Sequence, residues 1–342
     1  MRPSKSTGEV TRGKDAAPVR LFDCVGIGVC AVDHVSLLER YPHANEKTEA
    51  LAYTVQGGGP VPTALATAAR WGASCAYIGK VAKDAEGDFV LTQLARFGVD
   101  TSMVVRSPRG FTPRAMIWVE QGTGQRTVVL NRPAGLGLRL REVRRTQVLR
   151  GRILHLDGRE SKVAIAAARW ARRAGRTVVC DLGSLRDNTE LLLQYVDYAV
   201  VSTTFVRQLF GDCDLALAAQ RLLDFGPRAA VVTAGEQGCW CASNGRLFHQ
   251  PAFAVTAVDT TGAGDVFHGG FIFGLSRGWE LPRVLRWASA AAALKCTKLG
   301  GQAGIPTLAE VKKFLVEAER REIVEAHQLA GKAGREPLPS AR

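Results

Sequence analysis

Residues 259–270 read Asp-Thr-Thr-Gly-Ala-Gly-Asp-Val-Phe-His-Gly-Gly and hold the densest chemistry in this sequence. They follow an extended apolar stretch, Phe253–Val258, and lead into an apolar run of helical length, Val266–Leu275. A Gly262-Ala263-Gly264 turn opening a helix leaves several backbone N–H groups unpaired and pointing one way. The helix dipole behind them favours a phosphate-like anion. Gly262 and Gly264 let the chain turn tightly and approach a ligand with no Cβ in the way. Asp265 then brings a negative charge beside the anion site. A carboxylate there has a use if it takes a proton from a hydroxyl that attacks a bound phosphoryl group. A plain first-turn acid would not need the glycines that continue into the helix, Gly269, Gly270 and Gly274. Each costs about 1 kcal/mol relative to alanine.

The flanking pattern says what must position that turn. Phe22–Val29, Ser74–Gly79, Ile153–Leu156, Thr177–Asp181, Val196–Val201 and Ala229–Thr233 read as strands. Between them, Val61–Trp71, Glu86–Phe97 and Ser161–Ala174 read as helices. This alternation predicts an α/β fold: a doubly wound, mostly parallel sheet with helices on both faces. Two stretches break the rhythm. Ala31–Gly59 lacks a strong helical period and contains strand-like Glu49–Val55, while Thr112–Val119 and Arg126–Leu130 flank Gly122-Thr-Gly124 as in a hairpin. They predict a small β lid, about 31–57 and 110–131, over the crevice at the strand carboxyl ends where ligands bind in such sheets. A last amphipathic helix begins near Thr307. Residues 1–20 and 326–342 are polar or rich in Gly and Pro and read as flexible tails around one folded unit, 21–325.

Composition narrows the class. The chain has 342 residues, 46% hydrophobic and 23% charged, as in soluble globular proteins. No run approaches the roughly 20 apolar residues that span a bilayer, and the first 20 residues lack the apolar core of a secretory signal. The eight cysteines are scattered, and Cys239-x-Cys241 has the wrong spacing for a zinc or thioredoxin-type site. Cys24, Cys30, Cys75, Cys180 and Cys296 lie in strand-like surroundings, which predicts buried reduced thiols and a cytoplasmic setting. The net charge of +13 draws on Arg139, Arg141, Arg144, Arg145, Arg150 and Arg152, with Glu142 the sole acid among them. That stretch has no interleaved aromatics, so it reads as a solvated face and not as a nucleic-acid site. A positive field also draws in anionic substrates.

The string Asp259–Asp265 resembles the C-terminal signature of the ribokinase/PfkB family of sugar kinases, and the resemblance extends over roughly residues 21–320. It implies a ribokinase-like fold and transfer of the ATP γ-phosphoryl group to a sugar hydroxyl. Asp265 would be the base, with Gly262, Ala263 and Gly264 as the anion hole. Gly57-Gly58-Gly59-Pro60 resembles the family's N-terminal signature, in which Gly58 and Gly59 bring backbone amides to the sugar and Asp33 accepts from two sugar hydroxyls. Where ribokinases and ketohexokinases carry Asn soon after these glycines, this chain has Pro60 and Thr63. Thr233-Ala-Gly235-Glu-Gln-Gly238 resembles the nucleotide turn, so Thr233, Gly235 and Gly238 are implied ATP contacts. Ser289, Ala292 and Ala293 would flank the adenine. Ser202-Thr-Thr-Phe205 stands where many relatives carry the Asn-x-x-Glu that organises Mg²⁺ waters. Asp259 and Thr261 match positions near a monovalent-cation site of the K⁺ type.

The substrate reading rests on charge. Lys47, Asn131 and Arg159 fall in lid strands or strand ends expected to face the sugar. An Arg fork and a mobile Lys suit a sulfonate, carboxylate or phosphate. Their spacing, the Gly-Gly-Gly-Pro loop and Lys295–Pro306 are similar to sulfofructose kinases, which implies 6-deoxy-6-sulfofructose phosphorylated at O1. Asp157-Gly-Arg159 is also similar to ketohexokinase, so a neutral ketohexose or another sugar or nucleoside stays open, as does a sugar sensor without turnover. The resemblance further implies a homodimer formed through the lid.

Overall fold

The computed structural model describes residues 21–333; the tail expected at 1–20 and residues 334–342 lie outside the described residues. Strand β1 (Phe22–Ile27) enters the middle of a nine-stranded sheet. The chain then leaves that sheet to form β2 (Ala31–Leu38) and β3 (Ala52–Gly58), and returns through helix α1 (Pro60–Arg70) to β4 (Cys75–Ile78). After β5 (Lys80–Ala82) come α2 (Ala85–Arg96), β6 (Val99–Asp100) and β7 (Val105–Ser107). A second excursion forms β8 (Arg114–Glu120) and β9 (Arg126–Asn131). Past short α3 (Arg145–Val148) the chain alternates: β10 (Gly151–Leu156), α4 (Ser161–Arg173), β11 (Thr177–Leu182), α5 (Thr189–Leu193) and β12 (Tyr198–Ser202). Then follow α6 (Thr203–Phe210), α7 (Leu215–Leu222), β13 (Ala229–Thr233), β14 (Cys239–Ser243) and β15 (Arg246–Gln250). Helices α8 (Ala263–Ser276), α9 (Leu281–Cys296) and α10 (Leu308–Ala333) complete the fold.

The main sheet runs β15-β14-β13-β12-β11-β10-β1-β4-β6, parallel from β13 to β6 and antiparallel at β14 and β15. Its strands are apolar on both faces because both are covered. Cys24, Ile153, Val179, Val200 and Val231 face a core shared with α1, α8 and α9. Their neighbours Val25, Leu154, Val178, Ala199 and Ala230 face a second core shared with α4 to α7. The glycines that looked expensive in α8 have a packing reason. A Cβ on Gly269 would come within 2.4 Å of Thr67, and one on Gly270 within 3.0 Å of the Ala288 Cα, so α1, α8 and α9 approach closely.

The lid is a separate four-stranded sheet, β3-β2-β8-β9. Its first part differs from expectation in having β2 at Ala31–Leu38, directly after β1, and in carrying β3 on into Gly57 and Gly58. Val35, Ala115, Ile117 and Val119 form its own small core, backed by Leu299. Helix α10 is continuous to Ala333, past the boundary expected near Ala326, since Glu, Ala, Gln and Leu keep favouring helix until Gly331. All eight cysteines are free thiols; Cys296 is only half-buried, unlike the other four expected inside.

Candidate active site

Gly262 caps α8 in the left-handed region, at φ 74°, where only glycine sits without strain. A Cβ there would also meet the Gly301 Cα at 2.9 Å, so the turn is backed by the loop after α9. No atom lies within 4 Å of where a Cβ on Gly264 would point, which leaves the space in front of the turn open. The Ala263 N–H reaches back to the Thr260 carbonyl at 3.3 Å.

Asp265 is half-buried at the mouth of this turn. Burial first, and repulsion from Asp181 second, push its pKa up to about 6, against the opposing charges of His268, Arg126 and Arg159. His268, one turn along α8, donates from Nδ1 to the Gly264 carbonyl at 2.7 Å and lies 3.6 Å from Asp181 Oδ2. Since a carbonyl only accepts, that bond fixes the proton on Nδ1. Asp33 is buried nearby; burial, then the charges of Asp265 and Asp259, raise its pKa to about 7. Gly58 makes room for it, because a Cβ there would fall 2.1 Å from Asp33 Oδ2. Gly59, at φ 105°, starts α1 where a Cβ would strike the Val29 carbonyl at 2.4 Å.

These pKa values have a consequence for pH. The base expected at Asp265 and the hydroxyl acceptor expected at Asp33 must both be ionised, so kcat/KM is expected to rise with pH through about 6 to 7 and then level off. For stability the sign is opposite: a carboxylate with a raised folded pKa contributes stability below its unfolded value that is lost as pH rises through the folded one. The ligand-free protein should therefore lose melting temperature between about pH 4 and 7 from these groups while it gains activity. Paired pH profiles of rate and Tm check both limbs.

Arginines crowd the ends of β9, β10 and β11. Asp157, buried at the end of β10, accepts from Val29 N at 2.8 Å and Arg159 N at 3.0 Å. Burial and the charge of Asp181 raise its pKa to about 6, although these two bonds and the Arg159 charge oppose the rise. Its charge meets those of Arg159 and Arg186, and Arg132 stands beside Arg186. Burial, then the like charges of Arg159 and Arg132, pull the half-buried Arg186 below arginine's ordinary value, against the attraction of Asp157 and Asp181. Next to them is a cavity of about 190 Å³ lined by Gly28, Lys80, Arg132 and Glu160 among others. Lys80 is paired with Glu142 at 2.7 Å.

The lid's register sorts its side chains. Asp33 pairs with Ala115 and that with Leu130, so Arg126, Val128 and Leu130 share the crevice face of β9. Asn131, expected to face the sugar, pairs with Arg114 and lies with Met116 and Val129 on the face opposite Asp33. Lys47 is exposed in the connection between β2 and β3, which is rooted at the Leu37 end of the lid, whereas Asn131 ends β9 at the Val32 end. Sequence reasoning missed Arg126: its Nη1 donates to Thr260 Oγ1 at 3.1 Å, and that hydroxyl donates to the Gly124 carbonyl at 2.9 Å. The hairpin tip is thereby tied to the anion turn.

At the turn expected to contact the nucleotide, Thr233 ends β13 and donates from Oγ1 to the Val201 carbonyl at 3.1 Å. Gly235 and Gly238 both have positive φ, and a Cβ on Gly238 would collide with the Gln250 carbonyl at 2.1 Å. Ser289 is buried with its hydroxyl 3.9 Å from Cys239 Sγ, while Ala292 and Ala293 are half-buried on α9. Ser202 caps α6, accepting from Phe205 N at 3.1 Å and donating to Gly183 O at 2.9 Å, so it is already engaged. Among the described residues no three His, Cys, Asp or Glu side chains gather as a metal cage.

The expected monovalent-cation position does not fit such an ion. Asp259 is wholly buried, with Oδ1 accepting from Thr261 N at 2.7 Å and Oδ2 from Gly300 N at 2.6 Å. Its carbonyl accepts from Lys295 Nζ at 2.6 Å. The Thr261 hydroxyl is buried without a partner among the described residues, but one oxygen is no coordination shell.

Comparison with known proteins agrees with this geometry. The profile of the pfkB family carbohydrate kinases matches residues 22–308. Ribokinase of Haemophilus influenzae is 28% identical over 301 residues, 85% of this chain and 98% of that one. Ketohexokinase of Mus musculus is 25% identical over 285 residues, 80% of this chain and 95% of that one. Among solved structures, ribokinase from Thermotoga maritima superposes with a TM-score of 0.76 at 27% identity, covering 86% of this chain and 99% of that one.

Proposed function

The chain belongs to the pfkB family of carbohydrate kinases, and from that premise we propose that it phosphorylates an anionic ketose, 6-deoxy-6-sulfofructose, at O1 with ATP. The observation that carries the anionic substrate is the crowding of Arg132, Arg159 and Arg186 beyond the ends of β9, β10 and β11, within electrostatic reach of Asp157 and Asp181. Arg186, half-buried and beside two like charges, is a guanidinium that an anionic substrate would neutralise. Asp33, on lid strand β2, accepts from the sugar hydroxyls.

Asp265 takes the proton of the attacking hydroxyl, and the N–H groups of Gly262 and Gly264, joined by that of Ala263 once it leaves the Thr260 carbonyl, hold the charge on the phosphoryl group in transfer. Thr233, Gly235 and Gly238 contact the nucleotide, with Ser289 and Ala292 beside the adenine. Magnesium would enter with ATP as part of the substrate, and Asp181 and Asp265, whose charges repel each other, would be relieved by its charge. The tie from Arg126 through Thr260 to Gly124 holds the lid over the turn and keeps water from the phosphoryl group. Lys47 and Asn131, outside the arginine cluster, supply less of the specificity than Arg159.

Sugar-dependent ADP release across 6-deoxy-6-sulfofructose, fructose 6-phosphate, fructose and ribose tests the reading. Turnover favouring either neutral sugar would sink the anionic substrate, and turnover with none would favour a sensor. Preference for fructose 6-phosphate would keep the arginine cluster and change the anion.

The lid's outer face supports a homodimer. Tyr53, Val55, Met116, Trp118 and Val129 lie on it, 39–59% exposed, an apolar patch of the kind that marks an interface. Sedimentation is expected to give a dimer that Trp118→Asp splits into monomers; a wild-type monomer at micromolar concentration would remove the lid interface. The eight free thiols support a reducing, cytoplasmic setting.

A further inference from the structure

Lys295 is completely buried in the last turn of α9, with side-chain exposure of 0%. Its ammonium donates to the Asp259 carbonyl at 2.6 Å and the Lys298 carbonyl at 3.3 Å, and stands 3.8 Å from Asp259 Oδ2. The surrounding bonds show what this unit holds. Cys296 O, on the same turn, accepts from Val258 N at 2.8 Å and Asp259 N at 3.1 Å. Asp259 in turn binds Thr261 N and Gly300 N. Three segments therefore converge on one buried cation: the irregular segment leading into the anion turn, the end of α9, and the loop whose Gly301 backs Gly262. Gly304 closes over the lysine stem, since a Cβ there would lie 3.1 Å from Lys295 Cε.

A buried ammonium is expensive in desolvation, and an apolar side chain would fill the same space without that penalty. Converging carbonyl and carboxylate oxygens are what a bound monovalent cation requires. We propose that Lys295 is a built-in monovalent cation: its ammonium fills the oxygen-lined position behind the Gly262–Gly264 turn, fixes the turn's geometry, and makes phosphoryl transfer independent of K⁺. Lys295 acts through the turn and is a positioning residue. Cation independence rests on the kinase reading above; the occupancy of the position does not.

The test has two arms. In the first, wild-type turnover is measured with tetramethylammonium as the sole monovalent cation and again with K⁺, Na⁺ or NH₄⁺. The rates should agree, and strong activation by K⁺ overturns the proposal. Lys295→Ala should lose about a hundredfold in turnover through misplacement of the turn and regain most of it with K⁺ or NH₄⁺. Loss with no rescue by any small cation, or no loss at all, overturns it. The second arm needs no activity. Crystals soaked in thallium should show no anomalous peak beside Asp259 in the wild type and a peak there in Lys295→Ala; a wild-type peak contradicts the inference. If Lys295→Ala does not fold, the wild-type cation series and the wild-type soak still decide. A protein that turns over no sugar yet excludes thallium would retire the kinase reading and leave the built-in cation standing.

Discussion

Replacing Asp265 by asparagine is expected to lower kcat by about a thousandfold, the range that loss of a positioned general base produces. Nucleotide affinity should stay near that of the wild type, because the turn's backbone and the Thr233–Gly238 segment are untouched. The same substitution should raise the melting temperature of the ligand-free protein at pH 8. In the native state this carboxylate is held ionised beside Asp181 and away from water, at the cost expressed in its raised pKa. The neutral amide removes that repulsion while keeping the shape. Loss of activity with gain of stability is the signature of a residue kept for chemistry. A rate within a few-fold of wild type would take Asp265 out of the mechanism. Unchanged rate with lower Tm would make it a structural first-turn acid.

The second large effect concerns Arg159. Its backbone N–H anchors Asp157 whatever the side chain is, so Arg159→Met should fold with the β10 end intact. Losing one charge-assisted contact to the substrate should lower kcat/KM for the sulfonated ketose by about ten- to a hundredfold, mostly through KM. Fructose should be affected far less. Arg159 also lowers the Asp265 pKa, so the acid limb of the pH profile should move to higher pH in the variant. Arg159→Lys should recover part of the loss, since lysine keeps the charge without the planar fork. Equal losses for charged and neutral sugars would mean that Arg159 supports the fold of the site and not its selectivity.

The anion turn was legible because glycine and aspartate at fixed spacing imply backbone chemistry that no other residues supply. The same holds for Gly58, whose missing Cβ is the space that Asp33 fills. The parallel sheet was legible from its apolar runs, and the hairpin from Gly122 and Gly124. What escaped was whatever depends on pairing between distant segments. Asn131 and Arg126 lie on one strand, and which of them faces the crevice follows from the register of β8 against β9, which local sequence does not carry. Arg132 and Arg186 come from the end of β9 and the loop after β11, and only the fold brings them to Arg159. Lys295 stood in a segment whose resemblance was noticed while its burial was not. A lysine two residues after an alanine run reads as a solvated helix end. Its 0% exposure arises because the loop at Gly300–Gly304 folds back over it.

The central claim, a phosphoryl-transfer turn served by a cationic crevice, is tested most directly by competition. An equimolar mixture of 6-deoxy-6-sulfofructose and fructose, given limiting ATP and followed by phosphorus NMR, reports the ratio of the two kcat/KM values in one tube. The arginine cluster predicts that the sulfofructose 1-phosphate resonance takes nearly all the transferred phosphorus. A product pool dominated by fructose 1-phosphate would contradict it.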